Sequence, residues 1–174
     1  MTTLLNVFGK CFCVFLLSCC VALTAKSDVP EVGSVTNASN TDSYSKMKLF
    51  VENALHDTIE SMDVEEETYA KYFSENYVQY VDGKTLNYND FVAHMKAQKK
   101  SLKSAKVTIK HLVIKDDKIA TVHIVDAVKK DGSIVKMQIN AFFQVKNNQF
   151  ILCDELTHLI KGEEGDRDLG SRKK

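Results

Sequence analysis

The sequence has no net charge, because 23 lysine and arginine residues are balanced by 23 aspartate and glutamate residues. No long-range field therefore steers the protein toward nucleic acid, and no nucleic-acid partner is predicted. The His-x-His and His-x-x-x-His spacings of local metal sites are also missing, so neither a metal nor another cofactor is predicted. No motif in the chain indicates a particular reaction.

Cysteine is scarce outside the N-terminal segment. Four of the five cysteines precede residue 21, which leaves Cys153 alone in the rest of the chain. A lone cysteine excludes an intramolecular disulfide in the folded domain. Because Cys153 follows the apolar residues Phe150, Ile151 and Leu152, we expect a buried small hydrophobic side chain rather than a nucleophile.

Residues 1–25 have the composition of a signal peptide. Lys10 is their single charge, and residues 11–25 form an apolar run that is too short to span a bilayer comfortably. The end of the segment has two interpretations. Residues 16–19 resemble a bacterial lipobox, which would put a lipid anchor on Cys19, whereas a simple peptidase would cut at the end of the run. The soluble exported form, periplasmic or secreted, is favoured over the membrane-anchored lipoprotein.

The mature chain divides into three parts by composition. Residues 26–44 are rich in Ser, Thr, Asn and Asp, contain the single proline and lack a hydrophobic period, which predicts a flexible tether. Residues 45–161 form the predicted domain. Residues 162–174 alternate charges and are predicted to be a solvated tail.

The hydrophobic period changes near Ser104. Apolar residues recur at helical spacing before it, and alternate at strand spacing from Lys106 to Ile160. Short turns divide the second part into four predicted strands, at about 105–115, 119–130, 133–146 and 149–160. Helices followed by an antiparallel meander indicate an α+β fold with helices on one face of a sheet. A sheet that curls round its helices makes a pocket.

The first part predicts three helices and one short strand. Helix one covers about 45–62, and Asp63 is predicted to cap a second helix that ends at Phe73. A strand over 77–82 follows. Asn87 is then predicted to cap a third helix, whose apolar stripe reaches Leu102.

Strand alternation assigns faces in the meander. Six apolar residues from Val135 to Val145 share one face of the third strand and are predicted to be core, whereas Asn140 and Phe142 lie on the other face. The second strand is apolar on both faces, so both should be covered. Helices cover one face, and we expect a second copy of the chain to cover the other, giving a homodimer.

The order of elements resembles the nuclear transport factor 2-like superfamily, in its SnoaL-like branch, over about 46–160. The most suggestive segments are 77–83, 87–91 and 148–151. The resemblance implies a cone-shaped curved antiparallel sheet wrapped round the N-terminal helices, with an apolar pocket inside. Members include ketosteroid isomerases, polyketide cyclases, dehydratases, transport factors and non-catalytic binding modules, so the fold does not decide the function.

The resemblance and the pattern together suggest three catalytic candidates. Asp82 matches the place of a family carboxylate base, although Asp-Gly is also a favoured turn pair. Asn140 matches the place of an oxyanion donor, although alternation puts it on the face opposite the apolar residues. His123 could act as a pocket base, although half-buried histidines more often have a structural hydrogen bond.

The sequence favours an exported module that binds a small hydrophobic molecule, or a partner, in an apolar pocket without established catalysis. The alternative is an isomerase, cyclase or dehydratase that uses acid/base chemistry on a small hydrophobic substrate. A carboxylate or histidine with a neighbouring donor inside the pocket favours the enzyme, and an all-apolar lining favours binding. The predicted ligand-binding residues are Tyr69, Tyr72, Tyr80, His123 and Phe143.

Overall fold

The structure is a computed structural model that describes residues 36–167. The predicted signal peptide, the lipid-anchor candidate Cys19, residues 26–35 of the predicted tether and residues 168–174 lie outside the described residues.

Three α-helices precede the meander, as predicted, but their bounds differ. They are α1 (Thr36–Leu55), α2 (Glu66–Tyr72) and α3 (Tyr88–Ser101), and a π-helical turn (His56–Glu60) extends α1. Because α1 begins at Thr36, residues 36–44 are helical and the predicted tether is wrong there. Exposed polar residues are tolerated on a helix surface, and Lys46 Nζ lies 2.7 Å from Asp42 Oδ2 across one helical turn.

The predicted helix caps have opposite outcomes. Asn87 caps α3 as predicted, because its Oδ1 accepts a hydrogen bond from the Asp90 backbone N–H at 2.9 Å. Asp63 does not cap α2, which begins at Glu66 after Glu65 without a side-chain cap. Leu102 also differs from the prediction, since it opens a strand instead of closing the helix.

The sheet has six strands and the curvature that the fold class requires. The strands are β1 (Phe73–Val81), β2 (Lys84–Asn87), β3 (Leu102–Lys115), β4 (Lys118–Lys129), β5 (Ile134–Lys146) and β6 (Gln149–Lys161). Their order is β2-β1-β6-β5-β4-β3, and all neighbours are antiparallel except the parallel pair β1–β6. The α+β class is confirmed, with the helices packed on the concave face of a mostly antiparallel sheet. β2 was not predicted.

An aromatic cluster joins the concave face to the helices. The Phe73 ring lies 4.5 Å from the Phe91 ring of α3 and 5.3 Å from the Phe150 ring of β6, centroid to centroid. Phe143 of β5 lies 4.7 Å from Phe150. The six apolar residues of β5 are all buried, as their alternation predicted.

A β-bulge in β6 changes which of its side chains face the helices. Val145 pairs with Phe150, but the preceding Gln144 pairs with Leu152, so Ile151 is an extra residue on β6. An extra residue shifts the two-residue alternation by one. Phe150 and Cys153 are therefore both buried although they are three positions apart, and the residues at 155 and 157 follow Cys153 onto the concave face.

The predicted solvated tail is structured where it leaves the sheet. Glu164–Asp166 form one turn of 3-10 helix, and Asp166 is buried. Its Oδ1 lies 3.1 Å from Lys129 Nζ, so this acid has a charged partner at the end of β4. The tail prediction is therefore wrong for this turn.

Candidate functional site

The concave face of the sheet and the helices surround a cavity of about 130 Å³. Its lining is mainly apolar and includes Ile59 after α1, Phe91 and Met95 on α3, and Val125, Met137 and Phe143 on the sheet. An engineered apolar cavity of about 150 Å³ takes up benzene, so this volume suits a body of about one ring.

One wall of the cavity is polar and is formed where β1 and β6 run parallel. Gln79 pairs with Cys153, and Val81 pairs with Glu155, which brings the Gln79 and Glu155 side chains together. Gln79 Nε2 donates to Glu155 Oε1 at 2.8 Å, and Cys153 Sγ donates to Glu155 Oε2 at 3.5 Å. Both oxygens of this carboxyl group therefore have a donor from the protein.

The environment of Glu155 disfavours its charged form. Burial raises the pKa of Glu155 to about 7, and the negative charges of Asp82 and Asp154 add to the increase. The hydrogen bonds from Cys153 and Gln79 act in the opposite direction and lower this pKa. The carboxyl group can therefore gain or lose a proton near neutral pH.

Gln79 has an unsatisfied acceptor beside this carboxyl group. The side chain is only 5% exposed and lines the cavity. Its Oε1 has no hydrogen-bond partner among the described residues. A buried polar atom without a partner costs about 1–3 kcal/mol, so this atom calls for a donor from outside the protein.

Two histidines also line the cavity. His123 on β4 is 2% exposed, and its Nδ1 lies 3.0 Å from Thr121 Oγ1. Burial lowers the pKa of His123 to about 4, so the imidazole is neutral at neutral pH. His94 on α3 is also buried, and its Nε2 lies 2.9 Å from Gln98 Nε2.

His123 and Glu155 stand on different walls. Ile139 of β5 pairs with His123 on one side and with Thr157 on the other, so β5 separates the two walls. Adjacent strands lie about 4.8 Å apart, which places the backbones of β4 and β6 about 10 Å from each other. A small molecule could contact both walls, but these two side chains form no dyad.

The predicted ligand-binding residues divide into three groups. His123 and Phe143 line the cavity. Tyr69 and Tyr72 do not line it, because both are buried in the core. Burial raises the pKa of Tyr69 to about 12, and the Tyr72 hydroxyl donates a hydrogen bond to Asp57. Tyr80 is 45% exposed, because β1 alternates and its inward positions are occupied by Gln79 and Val81. These three tyrosines therefore do not line this cavity.

Two of the predicted catalytic candidates also lie away from the cavity. Asn140 is exposed on the convex face, where its Oδ1 accepts from Gln138 Nε2 at 3.2 Å. The alternation was therefore right and the family match was wrong. Asp82 lies in the β1–β2 turn with φ 49°, and its two oxygens accept from the Thr157 backbone N–H at 2.8 Å and from the Thr157 hydroxyl at 2.5 Å. These hydrogen bonds give Asp82 a structural role.

Sequence reasoning missed Glu155, Gln79 and His94 as cavity residues. Glu155 follows Asp154, and adjacent residues of a strand point to opposite faces, so the sequence indicates no paired carboxylate site there. Gln79 could have been found from the alternation of β1, because Tyr77, Gln79 and Val81 are all buried. His94 lies three residues after Phe91, on the buried stripe of α3.

The described residues 36–167 show neither a metal cluster nor a membrane span. Within them, no group of three His, Cys, Asp or Glu side chains is placed to hold a metal ion. No helix in the same range is long and apolar enough to cross a membrane.

Comparison with known proteins identifies one relative by sequence and many by fold. No family model matches the chain. Uncharacterized protein C11D3.04c of Schizosaccharomyces pombe is 35% identical over 100 residues, which are 58% of this chain and 77% of the yeast protein.

Solved structures of similar fold share little sequence with the chain. AclR from Streptomyces galilaeus, a candidate hydroxylase, is 13% identical with a TM-score of 0.58, over 75% of this chain and 88% of AclR. IdmH from Streptomyces antibioticus, a candidate polyketide cyclase, is 12% identical with a TM-score of 0.55, over 63% of this chain and 90% of IdmH. A candidate SnoaL-like polyketide cyclase from Jannaschia is 10% identical with a TM-score of 0.51, over 68% of this chain and 85% of that protein. The chain therefore belongs to the same family as C11D3.04c and has the nuclear transport factor 2-like fold.

Proposed function

We propose that the protein binds a small, largely apolar molecule in the cavity, with a polar group of that molecule placed at Gln79 and Glu155. The observation that carries this proposal is the unpartnered Oε1 of Gln79, a buried acceptor at the edge of an apolar space. A ligand that supplied a donor would remove the cost of this unsatisfied atom.

The apolar lining would supply most of the binding free energy. Each Å² of apolar surface removed from water contributes about 25 cal/mol, and aromatic walls offer large, rigid contact areas. The rings of Phe73, Phe91 and Phe143 lie at the cavity and are held in the aromatic cluster. A flat hydrophobic body therefore fits the lining, and the polar wall would fix its orientation.

Acid/base catalysis on the bound molecule is the second candidate function, and Glu155 supports it. A carboxyl group whose pKa lies near 7 can transfer a proton near neutral pH, and Gln79 holds it in place. This is the carboxylate with a neighbouring donor that favours an isomerase, cyclase or dehydratase. Binding is preferred because the family's other catalytic positions, at Asp82 and Asn140, do not face the cavity.

Filling the cavity tests the proposed function. We expect Ala127→Leu to reduce or abolish retention of a small molecule by the purified protein, because Ala127 lines the cavity and the larger side chain occupies its volume. Ala120→Leu on the same strand is the matched control, since Ala120 is exposed on the convex face. Native mass spectrometry measures the retained ligand. Equal retention by both variants would place the ligand elsewhere.

Glu155→Gln separates the two candidate functions. In a binding module, a neutral ligand should be retained at neutral pH, because glutamine keeps the shape and hydrogen-bonding capacity of the side chain. In an enzyme, the variant should bind its substrate and lose turnover, because glutamine cannot transfer the proton. Catalysis would be established if the unaltered protein turns over the retained ligand and Glu155→Gln does not.

The convex face supports a second proposal, a homodimer formed through the sheet. Large apolar side chains are exposed on this face, including Val113 at 63%, Leu156 at 64% and Phe142 at 38%. Exposed apolar patches of this kind commonly mark interfaces. Export remains a further proposal, which rests on the composition of residues 1–25 alone.

Charge on the convex face should separate the two copies. We expect Leu156→Lys to shift the protein from dimer to monomer in sedimentation velocity at micromolar concentration, because a charged group would be buried without a partner. Lys103→Ala, an exposed change at the start of β3, is the control. If the unaltered protein sediments as a monomer, the proposed dimer is contradicted.

A further inference from the structure

The donor groups of the polar wall each already have an acceptor within the protein. The Thr157 hydroxyl donates to Asp82 Oδ2 at 2.5 Å. The Tyr77 hydroxyl donates to Cys153, whose thiol donates to Glu155. Gln79 Nε2 also donates to Glu155. Each of these groups therefore already donates to an acceptor within the protein, and the Gln79 amide has one further N–H.

Acceptors remain in the same place. Gln79 Oε1 is unpartnered, and the ionised carboxylate of Glu155 can accept more hydrogen bonds than the two it receives. Asp82 and Asp154 add negative charge near Glu155. The polar wall is thus rich in acceptors and negative charge, which selects for a ligand group that donates hydrogen bonds and carries positive charge.

We propose that the cavity binds a protonated primary amine on an apolar body of about one ring, with its ammonium group between Gln79 Oε1 and the Glu155 carboxylate. This inference rests on the proposed function and names the class of its ligand. An ammonium group has three donors and no acceptor, which complements the wall. A carboxylate ligand would meet like charge, and a carbonyl ligand would leave the Gln79 acceptor unpaired.

The remaining walls are compatible with a cation. The faces of aromatic rings attract ammonium groups, and Phe73, Phe91 and Tyr77 line the cavity. His123 is the cavity histidine on the sheet, and because its pKa is lowered to about 4 it carries no charge at neutral pH. It would therefore not repel the ammonium group.

Protonation of Glu155 should control amine binding. The titratable groups that act on Glu155 are Cys153 on β6, Tyr77 on β1 and the acids Asp82 and Asp154, and the histidines His94 and His123 line other parts of the cavity. Burial raises the pKa of the Cys153 thiol and of the Tyr77 hydroxyl, so both stay neutral below pH 8. The ammonium ion is also fully protonated there, with a pKa of about 10. Glu155 is then the group whose ionisation sets the affinity between pH 5 and 8.

The experiment measures binding of benzylamine, benzyl alcohol and benzoate by calorimetry at several pH values. The three probes share one ring and differ in their polar group. We expect benzylamine to bind at least about tenfold more tightly than either other probe at pH 8. Its affinity should rise about tenfold per pH unit from pH 5 to near 7 and then level off, because one proton must leave Glu155. In Glu155→Gln the rise should disappear and the affinity at pH 8 should fall at least about tenfold.

The controls distinguish failure of this inference from failure of the proposed function. Tighter binding of benzyl alcohol or benzoate, or benzylamine binding that does not depend on pH, would overturn the amine assignment while the pocket stands. Binding of none of the three probes, or binding that Ala127→Leu leaves unchanged, would contradict the cavity as the site.

Discussion

Phe150→Ala should lower the free energy of unfolding by about 3–5 kcal/mol, which is the usual cost of truncating a fully buried phenylalanine. Phe150 is 0% exposed, and its ring contacts three others. The centroid distances are 5.0 Å to Phe50, 5.3 Å to Phe73 and 4.7 Å to Phe143. The substitution would open a void where α1, β1, β5 and β6 meet, and these elements also form the walls of the cavity.

Chemical denaturation followed by circular dichroism measures this loss, and Phe142→Ala is the matched control. Phe142 precedes Phe143 on β5, but its side chain is on the convex face and is 38% exposed. We expect its truncation to cost less than about 1 kcal/mol at a low protein concentration, where association contributes little. Equal losses for the two variants would mean that the faces of β5 are assigned wrongly.

Glu155→Gln should make stability at pH 8 higher than in the unaltered protein, by about 1–3 kcal/mol. The folded-state pKa of Glu155 is about 7, and its unperturbed value is 4.5. Between these values the folded state holds a proton that the unfolded state has released. The free energy of unfolding therefore falls as pH rises from about 4.5 to 7. Glutamine cannot ionise, so the variant avoids this loss.

His123 contributes a pH dependence of opposite sign. Its folded-state pKa is about 4 and its unperturbed value is 6.5, so stability is lost as pH falls through this window. In the unaltered protein the two slopes oppose each other between about pH 4.5 and 6.5. In Glu155→Gln the opposing slope is absent. The loss of stability that protonation of His123 causes at acid pH should therefore be measurable by itself.

Unfolding measured from pH 4 to pH 8 checks both slopes, with Glu75→Gln as the control. Glu75 is an exposed residue of β1, so its replacement should leave the pH profile unchanged. A profile of Glu155→Gln that parallels the unaltered protein at every pH would contradict a raised pKa at this carboxyl group.

The long strands could be predicted from the sequence because their periods are regular. In β5, six alternating apolar residues identified the core face, and the same alternation placed Asn140 outside. Turns were marked by residues that tolerate positive φ, such as Asn147 and Asn148, which have φ values of 52° and 57°. Elements without such a pattern were missed: β2 is four residues long, and the sequence of residues 36–44 has no hydrophobic period.

The candidate site could be predicted only in part, because a bulge and a parallel pairing create it. Alternation counted from Phe150 would place Glu155 on the convex face. The extra residue Ile151 shifts the alternation by one position, so Glu155 lies on the concave face. Gln79 meets Glu155 because β1 pairs with β6, and these strands are distant in sequence. Neither the bulge nor this pairing has a local sequence signal. Tyr80 is exposed because it alternates with the buried Gln79 and Val81 of its own strand.

A crystal structure of the protein with benzylamine bound at pH 8 tests the central claim most directly, since it shows where the ligand lies and which atoms it contacts. We expect ligand density inside the cavity, with the amine nitrogen about 3 Å from Gln79 Oε1 and from a carboxylate oxygen of Glu155. Density for the ligand on the convex face, with the cavity empty of it, would contradict the assignment of this cavity as the binding site.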